Sequence, residues 1–172
     1  LPCPPSPPAL PVKSRGPSSP VAAQQCRRAF PRLRVHQKVN PQRYYYHADR
    51  LGVIILQDAV QYFNDTSNDY HNDTVQLWLD DFAAMIKTTG NHPCVLQYQP
   101  FNEDDCWQLF DVPAVVRLGR ALDPSRLFDV DSGGRTPHNL GLGDVMDLHY
   151  YPAPGDLHPT ASQYAMIGEF GG

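Results

Sequence analysis

The stretch CVLQYQPFNE, residues 94–103, is apolar for most of its length and then stops on Asn102 and Glu103. A carboxylate has little place inside a sheet, because burying it without a partner is costly unless it takes up a proton. The stretch alone leaves two readings open: a surface turn where the chain leaves the sheet, or a catalytic carboxylate held at a strand tip. The pattern recurs along the chain. LGVIILQ, residues 51–57, runs into Asp58; the run 126–130 into Asp131; the run 145–148 into His149 and Tyr150; and the run 164–167 is followed by Glu169.

These tips need elements to position them. Strands are expected over 51–57, 94–101, 126–130, 145–148 and 164–167, each short and rich in Val, Ile or Leu. Between them, Val75, Trp78, Leu79, Phe82, Met85 and Ile86 fall at helical spacing within 74–89. Asn72, Asp73 or Thr74 is available to cap that helix and Gly90 to stop it. Asp111 followed by Pro113 opens a second helix, on which Val115, Val116, Gly119 and Leu122 share a face. Strands alternating with helices indicate parallel βα units buried on both faces. No GxGxxG follows any strand, which disfavours a dinucleotide fold. A doubly wound sheet gathers its polar groups at one switch point, whereas a (β/α)8 barrel takes one from strand after strand. The expectation is therefore an α/β chain forming part of a (β/α)8 barrel.

Residues 1–31 differ in kind. LPCPPSPPALPVKSRGPSSP is crowded with Pro and Ser and is expected to be disordered, with the barrel domain spanning 32–172. Within it, Pro8 to Lys13 matches a PxxPxK pattern for SH3-type domains, a match that Pro-rich tracts produce easily. A net charge of −4 carries no basic footprint for nucleic acid, and no apolar run is long enough to cross a bilayer. Cys3, Cys26, Cys94 and Cys106 form no zinc spacing, and a strand over 94–103 would carry Cys94 too far from Cys106 for a disulfide. The seven histidines show no HxxxH or HExxH, so no metal ligand and no cofactor is assigned. Asn64-Asp-Thr66 and Asn72-Asp-Thr74 fit the glycosylation sequon, which matters only in a secreted protein. Compartment and oligomeric state stay open.

In order and at barrel spacing, RVHQKVNPQRYYYHADRLGVIILQD, NHPCVLQYQPFNE, DPSRLFDVDSGG, GDVMDLHYYP and IGEFGG resemble the catalytic domain of the family 2 glycoside hydrolases, the β-galactosidase, β-glucuronidase and β-mannosidase group. The resemblance covers roughly residues 32–172. It implies retaining hydrolysis of a β-linked sugar, with Glu103 as acid/base and Glu169 as nucleophile. It also implies that Asn102 binds the sugar 2-hydroxyl and that an aromatic hydroxyl bonds the nucleophile. Tyr150 fits that hydroxyl best, with Tyr151 one residue away in an open register. His149 joins the substrate contacts, and His36 and Asp58 line the sugar pocket. The chemistry asks for the same residue types. Two carboxyl groups about 5–5.5 Å apart, one protonated and one ionised, protonate the leaving oxygen and capture the sugar from the opposite side. Their mutual repulsion helps keep one of them protonated.

Taken singly, each residue has a plainer reading: Glu103 and Glu169 as loop carboxylates, Tyr150 as a core aromatic, His36 as a solvated histidine, Asp58 as a helix cap. The chain also departs from the family pattern. Asp104, Asp105 and Cys106 precede Trp107 where relatives carry Gly-Trp-Gly after the acid/base. By the family's strand order the first and eighth strands are missing, leaving about strands two or three to seven. A fragment that does not catalyse, or a relative that only binds carbohydrate, is the alternative to an active glycosidase.

Overall fold

The computed structural model describes residues 31–61, 72–103, 109–134 and 141–171. The Pro-rich segment 1–30, the sequon at Asn64, the side chain of Asn72, residues 104–107 and the thiols of Cys3, Cys26 and Cys106 lie outside the described residues. Cys94 carries a free, buried thiol, which burial pushes up to about 12. No helix among the described residues is long and apolar enough to cross a membrane.

In chain order the elements are β1 (Arg32–Val35), α1 (Gln42–Leu51), β2 (Ile54–Asp58), α2 (Asn72–Thr89), β3 (Val95–Gln99), β4 (Phe101–Asn102), α3 (Val112–Leu122), β5 (Leu127–Phe128), β6 (Asp131–Ser132), β7 (Val145–Tyr150) and β8 (Tyr164–Phe170). Among the described residues every strand pairing is parallel. One sheet runs β1-β2-β3-β5. β4 continues β3 beyond Pro100 and pairs with β6, which continues β5 in the same way. β7 pairs with β8, and the Asp144 N–H donates to the Phe128 carbonyl at 2.8 Å, setting β7 beside β5. The strands therefore follow one another in sequence order, each carrying its tip to the same edge. Among the described residues they close no barrel: β1 and β8 end the arrangement.

Helices α2 and α3 form where the apolar period demands and bury their apolar faces in the core. On α2, Trp78, Phe82, Met85 and Ile86 are buried. Trp78 stacks on Phe82 at 5.1 Å and on Phe101 at 4.8 Å, and its ring N–H donates to the Val60 carbonyl at 3.0 Å. Such a cluster supplies large apolar burial while leaving no indole donor unpaired. α3 starts as the sequence indicates: the Asp111 side chain accepts from the Ala114 N–H at 3.0 Å, with Pro113 in the first turn. Gly119 lies against Phe128, where an added Cβ would come within 2.4 Å of the ring. Hydrogen here is a packing requirement.

The strand expected over 51–57 begins only at Ile54, because Leu51 closes α1 and Gly52 turns the chain at φ 67°. α1 itself has no counterpart in the sequence reading. Its three consecutive tyrosines favour strand by propensity, and only Tyr45 and Ala48, one turn apart, are buried. Tyr45 fixes the helix by donating its hydroxyl to Gln57 at 2.6 Å.

Candidate active site at the strand tips

Parallel strands in sequence order bring their C-terminal ends together, and a connected group of polar side chains meets there. Arg34 on β1 is its centre. The guanidinium donates through Nε to both Asp58 oxygens at 3.0 and 3.1 Å, through Nη1 to Glu169 Oε1 at 2.7 Å, and through Nη2 to Asn102 Oδ1 at 2.6 Å. Its side chain is only 12% exposed, so this forked pairing holds a largely desolvated cation in place. Asp58 closes β2 beneath it and also takes His36 Nδ1 at 2.9 Å and the Gln37 N–H at 3.2 Å. Only 2% exposed, Asp58 anchors Arg34 and His36 rather than facing open space.

Glu103 follows β4 with φ 59°, left-handed backbone that a non-glycine residue adopts at a cost of about 1–2 kcal/mol. Its N–H donates to the Ser132 carbonyl at 3.0 Å, which holds the turn. The carboxyl oxygen Oε1 lies 2.5 Å from His149 Nδ1. Glu169, on β8, receives the Tyr151 hydroxyl at Oε2 at 2.5 Å. Burial works against ionising Glu169, yet the Tyr151 hydrogen bond and the positive charge of His149, Arg34 and His36 hold it below the ordinary carboxylate range. In turn the bond to Glu169 pushes the Tyr151 phenol up to about 12. Donor atoms of Glu103, His149 and Glu169 all lie within 4.8 Å of one another. That grouping could suit a cation, but the histidine, arginine and tyrosine contacts already engage these atoms inside the protein.

The structure thus brings Glu103, Glu169, Asn102, His149 and His36 into one group, with Asp58 as its anchor. Tyr150 is not in it. The hydroxyl that reaches Glu169 is that of Tyr151, because successive strand residues face opposite sides and Asp147, His149 and Tyr151 share one. Tyr150 falls on the other side. Sequence reasoning missed Arg34, Ser132 and Asp147. A charge inside the run RLRV was the available signal for Arg34, since a central strand buries one only for a partner. Ser132 and Asp147 are buried beneath His149, and Asp147 accepts from Ser132 Oγ and from the Gly168 N–H, both at 2.5 Å. Next to them, burial and then repulsion from Asp147 push the Asp129 carboxyl well above the ordinary range. An apolar cavity of about 320 Å³ lies elsewhere, against Trp78, Phe82 and Met85, and none of the site residues lines it.

No protein-family model matches the chain, and no curated protein matches it. Solved structures do. A glycoside hydrolase family 2 β-galacturonidase from Eisenbergiella tayi, bound to galacturonate, superposes with a TM-score of 0.68 at 18% identity over 81% of this chain and 29% of that one. A family 2 member from Bacteroides cellulosilyticus gives 0.57 at 21% identity, over 71% and 17%. The β-D-glucuronidase of Dictyoglomus thermophilum gives 0.52 at 17% identity, over 70% and 23%. The chain shares its fold with glycoside hydrolase family 2 enzymes. It spans less than a third of the length of each of these structures.

Proposed function

We propose that the chain is the catalytic part of a family 2 glycoside hydrolase, built on consecutive units of a (β/α)8 barrel, and that it hydrolyses β-linked glycosides with retention. Glu169 is the nucleophile and Glu103 the acid/base. The observation that carries this reading is the approach of the two carboxyl groups, one oxygen of Glu103 lying within 4.8 Å of one of Glu169. That approach supports the close pairing, about 5–5.5 Å between carboxyl groups, that a covalent glycosyl intermediate uses.

The surroundings support distinct roles. Glu169 is held in its ionised form by Arg34 and Tyr151, ready to attack the anomeric carbon as the glycosidic bond breaks. Glu103 is bonded to His149 and keeps a side chain 45% exposed, open to a leaving group. It gives its proton to the departing oxygen, then takes one from the water that releases the sugar from Glu169. Asn102 lies beside Glu103, steadied by Arg34, where it can meet the sugar 2-hydroxyl. The ligand on this reading is a carbohydrate.

The test is hydrolysis of aryl β-glycosides, uronides included, by the native protein, followed by proton NMR of the first sugar anomer released. The β-anomer appearing first is expected. The α-anomer appearing first would rule out a retaining mechanism, and no hydrolysis across the panel would favour a relative that only binds carbohydrate.

A further inference from the structure

We propose that Ser132 and Asp147 are positioning residues that keep a proton on Nε2 of His149 and hold its Nδ1 against Glu103, where ring and carboxyl group share a proton. The proposal rests on the assignment of Glu103 as acid/base.

Hydrogen-bond accounting leads to it. The Ser132 hydroxyl has one proton, and it donates that proton to Asp147 Oδ2 at 2.5 Å. What faces His149 Nε2 at 3.0 Å is therefore a serine lone pair, which requires the proton on Nε2. Asp147 Oδ2 and Glu169 Oε1, each 3.8 Å from Nε2, favour an N–H there as well. Arg34 Nη1 pulls the other way, since it can only donate. It stands farther off, at 3.4 Å, and is already committed to Glu169 at 2.7 Å. With Nε2 protonated, the ring turns Nδ1 to Glu103 Oε1, 2.5 Å away. So close an approach of nitrogen and oxygen needs a proton between them, which the ring and the carboxyl group share.

The backbone is shaped to the same end. Gly133 follows Ser132 with φ 68°, and a Cβ there would lie 2.2 Å from the His149 ring. Ser132 and Gly133 together form a cradle that only this pairing of hydroxyl and missing side chain allows. Burial and then Asp147 push the Asp129 carboxyl up, and Asp147 is the acceptor for Ser132. During turnover the ring keeps its Nε2 proton. Glu103 gives the shared proton to the leaving oxygen and regains one from water.

Selective ¹⁵N labelling of histidine in the native protein tests the idea directly. The His149 resonances should show a ring protonated at Nε2. A ring whose single proton sits on Nδ1 would overturn the proposal. Ser132→Ala should mix the tautomers and Ser132→Thr should restore the single one. In kinetics, Ser132→Ala should lower kcat/KM about tenfold more for poor leaving groups than for an activated phenol. An equal loss on both would mean that Ser132 is merely structural, and would also overturn the proposal. If the native protein hydrolyses no β-glycoside, the functional reading fails while the tautomer measurement still decides this one.

Discussion

The two carboxylates proposed as catalytic were legible in the sequence as strand tips, but the residues around them were not. Tyr151 was one position from the preferred choice, because the register of a short strand decides which of two adjacent tyrosines faces the site. Ser132 and Asp147 carry no signature at all, since a buried hydrogen-bonded pair is visible only once distant strands are side by side. Two predictions belong at this scale. Tyr151→Phe removes the hydroxyl bonded to Glu169 and should lower kcat/KM for aryl β-glycosides by about tenfold or more, whereas Tyr150→Phe should leave it nearly unchanged. A common loss in both variants would mean the register is misread. The second prediction concerns pH. Glu169 is held below its ordinary value of 4.5, so its ionised form stabilises the fold above that value, and the contribution fades as pH falls through the lowered one. Asp129 has the opposite sign: its raised value means stability is present in acid and is lost as pH rises past the ordinary aspartate range. Melting temperatures of Asp129→Asn should therefore gain on the wild type as pH rises from about 4 to 8. A gap that shrinks over that range would contradict the burial of an acid there.

At the scale of elements, α2 followed from its period, α3 from its period and cap, and β2, β3, β5, β7 and β8 from their apolar runs. α1 did not, because a helix that buries only Tyr45 and Ala48 has almost no apolar stripe to read. Its place is set by the Tyr45 hydroxyl reaching Gln57 and by Asp49, which takes the Cys94 N–H at 2.8 Å and His92 at 2.6 Å. These contacts join residues far apart in sequence. For α3, Asp111→Ala should destabilise by about 1 kcal/mol through loss of the cap. Gly119→Ala should cost about 1–3 kcal/mol in urea unfolding, since a methyl group there meets Phe128. A neutral or stabilising Gly119→Ala would show that α3 stands farther from β5 than the structure places it.

For the molecule as a whole, the parallel order β1-β2-β3-β5, the continuation of β3 and β5 into β4 and β6, and the pair β7-β8 explain why one residue from each strand reaches a single site. The order of the strands could be anticipated from the chain, since a right-handed crossover between parallel neighbours leaves few alternatives. The inward network around Arg34 could not, because it assembles from β1, β2, β4, β7 and β8 at once. The central claim is that Glu169 forms a bond to the sugar while Glu103 moves the proton. The measurement that tests it most directly is mass spectrometry of the native protein after reaction with a 2-deoxy-2-fluoro aryl β-glycoside, which slows release of the intermediate. The account predicts a single covalently bound sugar on the peptide containing Glu169, absent in Glu169→Gln and still formed in Glu103→Gln when the leaving group is an activated phenol. A sugar attached to any other residue, or turnover of the wild type without an adduct, would contradict it.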